Sequence, residues 1–427
     1  DKDTDLCQSL PNDFSLAGLN HRQGTGRNAP TVINAVFNHR NFWDGRANNL
    51  FNGVDPLGRR SNLNNPDQGI WIYDSQTKRL NKKQVLIKNS SLASQATGPA
   101  LSSIEMSCEG RTFPLLGRKM LSRRGLAHQA VAVDDSVLGN FRHASGQGIS
   151  QTYAEMVRLA FNSKYWGAPA EAESGFTQME SNFSLFWGLA IQMYEATLVS
   201  DMSPFDQFAR GDNTALTEQE KLGLEVFVLK DRGNCAACHG GTEFTSASVR
   251  ARALAPDGGE MDAGLGVAVP GETIERMRMS DGGVSVYDGG FYNIGVTQSD
   301  MDKCVGADLA GFPLSFSAQA TTENHVDFEA GVDVSVDVIT DPSIPAGPAL
   351  PAERVAVDGA CKTPTLRNVE LTAPYFHNGS HATLDQVVIS YMAAFKHLFA
   401  DENIDNLAPE IPNVRIMGNE IDALIAF

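Results

Sequence analysis

The chain has 427 residues, enough for two or three domains, and its hydrophobic content of 42% is ordinary for a globular protein. Lysine and arginine number 34 against 51 aspartate and glutamate residues, which gives a formal net charge of −17. This charge argues against binding to nucleic acid or anionic membranes and leaves room for a basic redox partner. The most apolar helical stretch, 183–198, contains Gln192 and Glu195 and is too short and too polar to cross a bilayer.

The predicted elements are mostly helices separated by long irregular stretches. After the apolar helix, the polar segment 206–215 fits a domain boundary near residue 205. Residues 216–229 then predict a helix with Thr217 at its N-cap, because Glu220 three residues on completes a capping box. This helix leads into the most informative motif of the chain.

That motif is Cys235-Ala-Ala-Cys238-His239. Two thiols at this spacing can add across the vinyl groups of a haem, and the histidine that follows is placed to bind the iron. A zinc site would need a second pair of ligands at similar spacing, and no other two of the six cysteines are close in sequence. A redox dithiol would not need the histidine. The motif therefore predicts one covalently attached c-type haem.

Four cysteines remain outside the haem motif. Haem attachment of this kind is made outside the cytoplasm, so we expect a periplasmic or otherwise exported protein in which disulfides can form. Cys7, Cys108, Cys304 and Cys361 allow three pairings. We expect Cys304 with Cys361 and Cys7 with Cys108, because each pair stays within one half of the chain. No signal peptide precedes Asp1, which predicts a mature or truncated chain.

The chain beyond the haem motif changes character. Residues 245–355 are rich in glycine, aspartate and proline, with short β-like runs such as 283–296, and predict an insertion of loops and small strands. Residues 382–395 predict another helix, with Thr383 at the N-cap. The chain closes with "NEIDALIAF", a short amphipathic helix.

Three further blocks give the chain a family resemblance. They are "RNAPTVINAVFNHRNFWDGRANNL" (27–50), "QATGPALSSIEM" (95–106) and "TPTLRNVELTAPYFHNGSHATL" (363–384). Together with the haem motif, and in this order, they resemble the bacterial di-haem cytochrome c peroxidases and their relative MauG. The runs "GTEFTSASVR" and "GGFYNIGV" and the long insertion at 51–90 resemble the larger peroxidase-like members.

The resemblance implies a mainly α fold with two cytochrome-c-like helical haem domains. Residues 1–205 would be the peroxidatic-type domain, and 206–427 the C-terminal haem domain that carries the insertion. In the family, one haem reacts with hydrogen peroxide, the other supplies or stores electrons, and a calcium ion lies between the domains. The family's first haem motif is missing between Asp1 and Asn28. We therefore expect a second haem in the complete protein, attached outside this sequence.

The resemblance also carries site residues. Trp43, in "FWDGRA", is similar to the tryptophan between the two haems, where an aromatic ring shortens the electron hop. Glu105 is similar to the distal acid of the peroxide-binding haem, in a pocket shaped by Gln95 and Pro99. A carboxylate there can take a proton from peroxide and then return it to the leaving oxygen.

Calcium ligands follow from the same resemblance. Asn28, Thr372 and Pro374 are similar to the family's ligands, the last two through backbone carbonyls. Hard oxygen donors together with water suit calcium.

The distal iron ligand decides the subtype, because it is methionine in the peroxidases and tyrosine in MauG. Counting from Thr372 in the family's register leads to Tyr391, with Met392 one residue further. One helical step turns a side chain by about 100°, so both cannot face the iron. We favour Tyr391 and keep Met392 as the alternative.

The predicted function is that of a hydrogen-peroxide-dependent di-haem oxidoreductase. A haem with histidine and tyrosine ligands would share oxidising equivalents with the peroxide-reactive haem, which favours MauG-like oxidation of a protein or organic substrate. The expected electron donor is a small redox protein or a protein substrate, and homodimers are common in the family. The alternative is a single-haem electron-transfer or partner-binding protein derived from that family.

Overall fold

The structure, a computed structural model, describes residues 14–16, 19–22, 24–173, 175–253, 273–309, 311–322, 336–338, 344, 349–392, 399 and 401–427. The chain divides into two compact units. The first contains residues 1–25 and 49–193, and the second contains 26–48 and 194–427. The predicted division near residue 205 differs from this grouping, because the segment 26–48 packs with the C-terminal part of the chain.

The first unit combines short helices with three antiparallel hairpins. Its helices are α1 (Arg59–Asn64), α2 (Ser91–Ala96), α3 (Phe113–Met120), α4 (Tyr153–Ala160), α5 (Gln178–Ser181) and α6 (Phe183–Glu195), the last of which runs two residues past the unit's end. Its strands pair in sequence as β1 (Phe14–Leu16) with β2 (Leu19–Arg22), β3 (Ile70–Asp74) with β4 (Arg79–Lys83), and β5 (Glu171–Glu173) with β6 (Phe176–Thr177).

An apolar cluster around the start of α6 forms the core of the first unit. Phe183 and Phe186 are each 2% exposed and pack with Phe51. Buried amides tie the hairpin β3–β4 to this core, because Asn182 accepts a hydrogen bond from the backbone N–H of Trp71 and donates one to its carbonyl. The predicted helix at 183–198 is confirmed as α6.

The second unit contains the CAACH motif and the predicted insertion. Its helices are α7 (Pro204–Ala209), α8 (Glu218–Val228), α9 (Val249–Ala253), α10 (Phe316–Ala320), α11 (Leu384–Tyr391) and α12 (Asn419–Ala426). Its strands are β7 (Ile274–Arg278), β8 (Val284–Asp288), β9 (Phe291–Tyr292), β10 (Asp308–Leu309), β11 (Phe312–Pro313), β12 (Val336–Val338) and β13 (Cys361–Lys362).

Small sheets build the insertion, as the sequence predicts. One sheet has the order β12-β7-β8, in which β12 is parallel and β8 antiparallel to β7. In this register Glu275 lies opposite Tyr287. The pairs β9–β13 and β10–β11 are antiparallel.

Local sequence signals set the helices of the second unit. Thr217 and Thr383 each form the predicted capping box, which begins α8 and α11. Helix α8 packs closely on α12, because Gly223 has no side chain where a Cβ would collide with the carbonyl oxygen of Ala423. The predicted C-terminal helix is confirmed as α12.

The predicted disulfide between Cys304 and Cys361 is present. Cys108 is also disulfide-bonded, and its predicted partner Cys7 lies outside the described residues. Within the described ranges, none of the helices is both long enough and apolar enough to span a membrane.

Candidate haem site

The CAACH motif forms a tight turn after helix α8. Residues Cys235–Ala237 make one 3-10 turn, and the backbone N–H of His239 donates to the carbonyl of Cys235 at 2.8 Å. Ala236 anchors the turn, because it is buried in an aromatic cluster with Phe227 and Phe244. The turn therefore presents both cysteines and the histidine from a fixed backbone.

The ring of His239 is oriented by backbone carbonyls. Its Nδ1 lies 3.1 Å from the carbonyl oxygen of Pro364 and 3.4 Å from that of Phe244. Two acceptors require a proton on Nδ1, which leaves the lone pair on Nε2 for a metal. Burial lowers the pKa of His239 to about 4, so the ring is neutral at neutral pH. This is the state in which histidine binds iron.

The two cysteines of the motif are free thiols in a partly buried setting. Burial raises the pKa of Cys235 to about 12 and that of Cys238 well above its usual value. A redox dithiol needs a lowered thiol pKa, so this site does not resemble one. Free thiols at this spacing, next to a histidine with an open Nε2, fit covalent attachment of a haem.

Tyr391 and Met392 lie at the end of helix α11. Both are partly buried against an apolar cluster that includes Val226 and Val388. Burial raises the pKa of Tyr391, and negative charge on Cys238 and then Cys235 would raise it further. Met392 is the C-cap and has extended backbone dihedrals. The preference for Tyr391 as ligand stays a prediction.

Trp43 is held in the second unit by hydrogen bonds and ring contacts. Its Nε1 donates to the carbonyl of Asn28 at 2.7 Å, and its own carbonyl accepts from the N–H of Lys362 at 2.8 Å. The His377 ring packs edge-on against the indole, with centroids 6.3 Å apart. Because Trp43 is only 8% exposed, its orientation is set by this packing.

Sequence reasoning missed an ion-pair network beside Trp43. Arg27 binds both carboxylate oxygens of Asp302, at 2.6 and 2.9 Å, and one oxygen of Asp44 at 2.7 Å. Burial alone would raise the pKa of Asp302, but the hydrogen bonds from Arg27 hold it below its usual value. His377 completes the network with its Nε2 3.8 Å from Asp302. Arg27 and His377 each lie in a block that carries the family resemblance, but neither block indicates Asp302 as the partner.

Two of the three predicted calcium residues, Asn28 and Pro374, are hydrogen-bonded to each other. The Asn28 side-chain amide donates to the Pro374 carbonyl at 2.7 Å, and the Asn28 backbone N–H donates to the carbonyl of His377 at 2.6 Å. Thr372 lies two residues before Pro374 and donates its hydroxyl to the Val369 carbonyl at 3.0 Å. Asn28 and Pro374 therefore lie side by side, joined by a hydrogen bond, and their role in binding calcium stays a prediction.

The predicted peroxide-pocket residues all lie in the first unit, along a run of consecutive turns. Gln95 belongs to helix α2, and Pro99 begins a 3-10 turn. A further turn places the Glu105 N–H 3.3 Å from the carbonyl of Ser102. Gln95 and Pro99 are partly buried, whereas Glu105 is exposed. Their predicted roles stay predictions.

Comparison with known proteins shows what parts of the chain are similar to. The family described as "Di-haem cytochrome c peroxidase" matches residues 8–214. Over these residues, slightly less than half of the chain, the sequence is similar to that family. The matched residues include the block with Trp43 and the block with Glu105.

Individual relatives extend the family match to other parts of the chain. Cytochrome c551 peroxidase of Pseudomonas aeruginosa is 29% identical over 215 residues, which cover 50% of this chain and 36% of that protein. Cytochrome c peroxidase Ccp of Escherichia coli is 24% identical over 361 residues, 84% of this chain and 41% of that protein. MauG of Methylophilus methylotrophus is 37% identical over 83 residues, 19% of this chain and 24% of that protein. Each match covers less than half of the relative's length.

Proposed function

We propose that the chain belongs to the di-haem peroxidase family and is part of a periplasmic, hydrogen-peroxide-dependent c-type oxidoreductase with two cytochrome-c-like haem domains. The observation that carries the proposal is the arrangement in the second unit. His239 has its Nδ1 bound to two carbonyls and its Nε2 open, and Tyr391 packs in an apolar cluster with Val226 of helix α8, the helix that leads into the motif. The peroxidase names of the relatives support the reaction class.

Cys235 and Cys238 would hold the haem covalently, and His239 and Tyr391 would bind its iron. A bound haem supplies one-electron redox chemistry at this site. Burial keeps the proton on the Tyr391 hydroxyl until a cation displaces it, so phenolate binding is coupled to proton release. An anionic phenolate favours the higher oxidation states of iron. This supports sharing of oxidising equivalents, as in MauG-like oxidation of a protein or organic substrate.

Glu105 is proposed to move the peroxide proton. Its exposed carboxylate is available to a ligand of the first unit, and the turns that carry Gln95 and Pro99 would shape the pocket around it. One carboxylate can act first as a base and then as an acid, because peroxide loses a proton on binding and its distal oxygen gains one on leaving. The second haem of the family would lie here.

Trp43 and the calcium ion complete the proposal. Trp43 would carry electrons between the haems, and its fixed indole suits this role because electron transfer needs little rearrangement. Asn28, Thr372 and Pro374 would bind calcium through oxygens. If the Asn28 amide is reversed, its oxygen faces the Pro374 carbonyl oxygen, which is favourable only with a cation between them. The expected electron donor is a small redox protein, and the expected assembly is a homodimer.

The first experiment measures haem per polypeptide in the natively purified full-length protein, by reduced pyridine-haem absorbance and intact mass. Two haems are expected. A single haem on the full-length chain would overturn the di-haem proposal and favour the electron-transfer alternative.

The second experiment compares the rates of peroxide reaction of Glu105→Gln and of Glu109→Gln, a neighbouring exposed carboxylate. Glu105→Gln should slow the reaction by on the order of 10²-fold or more while the His239 haem stays attached, because proton transfer by a positioned group contributes that much. Glu109→Gln should react like the wild type. Equal rates in all three proteins would remove Glu105 from the mechanism.

A third experiment assigns the distal ligand. Tyr391→Phe should change the absorbance and EPR spectra of the ferric protein, since the phenol oxygen is lost. Met392→Leu is the matched control and should leave both spectra unchanged. The reverse result would transfer the ligand to Met392.

A further inference from the structure

A buried tyrosine, carboxylate and guanidinium lie together in the sheet of the insertion. Tyr287 on β8 faces Glu275 on β7, and its hydroxyl donates a short hydrogen bond to one carboxylate oxygen. The other oxygen accepts from Arg252 at 2.8 Å. Glu275 is fully buried and Tyr287 is 4% exposed, so this hydrogen bond is shielded from water.

A second tyrosine connects this group to the CAACH motif. The rings of Tyr287 and Tyr292 are 5.7 Å apart between centroids. The Tyr292 hydroxyl lies 3.5 Å from Ser246 Oγ, and the backbone N–H of Ser246 donates to the carbonyl of Cys238 at 2.9 Å. Two adjacent aromatic rings therefore lead from the haem-attachment cysteine to a tyrosine that is hydrogen-bonded to a carboxylate.

The Tyr287 hydroxyl satisfies a buried oxygen of Glu275 and also supplies a proton. The ion pair with Arg252 already neutralises Glu275, and a phenylalanine at position 287 would fill the same ring volume. What the hydroxyl adds is a proton donor in direct contact with an acceptor. A phenol that has lost an electron is a far stronger acid than a carboxylic acid. A carboxylate that is hydrogen-bonded to it can therefore take its proton.

We infer that Tyr287 is a redox-active residue that gives an electron, by way of Tyr292, to the oxidised haem at the CAACH motif and gives its phenolic proton to Glu275. In this step the O–H bond of Tyr287 breaks and an O–H bond forms on Glu275. One electron leaves the phenol, and the haem is reduced by one electron. The inference rests on the proposed function, because peroxide is the source of the oxidising equivalents.

The consequence is a store for one oxidising equivalent inside the protein. A neutral tyrosyl radical at position 287 would be protected from solvent and would lie beside a proton that can return when an electron arrives. The haem-loaded protein could then hold an oxidising equivalent until its substrate binds.

The test is freeze-quench EPR of the haem-loaded protein after addition of hydrogen peroxide, with haem oxidation followed separately by visible absorbance. A tyrosyl radical signal is expected in the wild type and should narrow when the protein contains ring-deuterated tyrosine. Tyr287→Phe should lose this signal while its haem is still oxidised. Tyr165→Phe, in a partly buried tyrosine of the first unit, is the matched control and should keep the signal.

A second oxidant separates failure of the inference from failure of the proposed function. Flash-generated ruthenium(III) tris-bipyridine oxidises the protein without peroxide. If peroxide does not oxidise the haem but the photochemical arm gives a signal that depends on Tyr287, the proposed function fails and the assignment of Tyr287 as a redox-active residue stands. If the haem is oxidised in either arm and the signal is absent or unchanged in Tyr287→Phe, the inference is overturned.

Folding defects are controlled by a second substitution and by labelling. Tyr292→Phe should slow the appearance of the Tyr287 radical while leaving Tyr287 and Glu275 in place. If Tyr287→Phe does not fold, hyperfine couplings of the wild-type radical decide the matter. The signal must match the fixed ring orientation of Tyr287 and show a hydrogen bond from a nearby proton, and a signal without these features contradicts the inference.

Discussion

The CAACH region, residues 217–250, and the strand insertion, residues 274–320, each bury a titratable side chain. The buried group is neutral in the first region and charged in the second. In the first, burial lowers the pKa of His239 to about 4 and keeps the ring neutral. In the second, burial would raise the pKa of Asp288, but Arg40 and hydrogen bonds from residues 315–317 outweigh it and hold the pKa below its usual value. Asp288 is fully buried and stays charged.

The difference shows that partners, rather than burial alone, decide the charge of an interior group. The carbonyl oxygens of Pro364 and Phe244 both accept from the N–H on His239 Nδ1, so a neutral ring with one N–H satisfies them. Asp288 accepts from Arg40 at 2.6 Å, from the Ser315 hydroxyl at 2.7 Å and from two backbone N–H groups. A neutral histidine suits iron binding, whereas the charged cluster stabilises the insertion.

The largest predicted effect comes from removing the partner of Asp288. Arg40 also lies between the rings of Phe291 and Phe316, 4.3 and 4.1 Å from their centroids. Arg40→Leu should lower the free energy of unfolding by about 3–5 kcal/mol, because it leaves a buried charge without compensation. Urea unfolding followed by circular dichroism measures this change.

The control for this substitution is the double variant Arg40→Leu/Asp288→Asn, which removes the uncompensated charge and should recover part of the loss. A further reference is Lys221→Ala, which breaks a surface ion pair with Glu218 and should have little effect. A loss of stability in Arg40→Leu no larger than that of Lys221→Ala would contradict the charged state of Asp288.

His39, a buried histidine next to Arg40, extends this comparison to a neutral group beside the charged residues. Burial, followed by the positive charges of Arg40 and Arg252, lowers the pKa of His39 to about 3, from 6.5 in an unfolded chain. Between these values the unfolded state binds the extra proton, so stability falls as the pH is lowered below about 6.5. Between pH 7 and pH 4, His39 should account for a loss of about 3 kcal/mol.

The measurement is the free energy of unfolding as a function of pH for the wild type and for His39→Gln. The variant should show a flatter profile between pH 7 and pH 4. His128→Gln, in an exposed histidine, should keep the wild-type profile. Parallel profiles for all three proteins would show that folding does not lower the pKa of His39.

The smallest predicted effect concerns local helix signals. Thr383 accepts a hydrogen bond from the N–H of Gln386 at the start of α11, the helix that ends at Tyr391. Thr383→Ala should reduce the free energy of unfolding by about 1 kcal/mol. Thr152→Ala, which breaks the same type of capping box at α4 in the first unit, should have a similar effect. A drop as large as that of Arg40→Leu would show that α11 depends on more than its cap.

The sequence correctly predicts those features that depend on residues close together in the chain. The capping boxes at Thr217 and Thr383, the helix α12 and the short strands of the insertion follow from residues within a few positions of one another. Periodicity of apolar residues and side-chain caps act over one or two turns, so a single sequence contains them in full.

Contacts between distant residues were beyond the sequence. Nothing near Arg27 indicates that Asp302, 275 positions away, accepts its hydrogen bonds, and nothing near Arg40 indicates Asp288. The pair of carbonyls that orients His239 belongs to Phe244 and Pro364, of which only the first is close in sequence. Such contacts form only when folding brings distant segments of the chain together.

The sequence by itself determined the haem motif, the similarity to the di-haem peroxidases, the capped helices and the Cys304–Cys361 pair, because each rests on residue types at fixed spacing or on a small set of alternatives. Only the tertiary structure decided that residues 26–48 pack with the second unit, that His239 has a free Nε2, and that Tyr287, Tyr292 and Glu275 are neighbours. The physical reason is that charge state and hydrogen bonding of interior groups depend on partners brought together by folding.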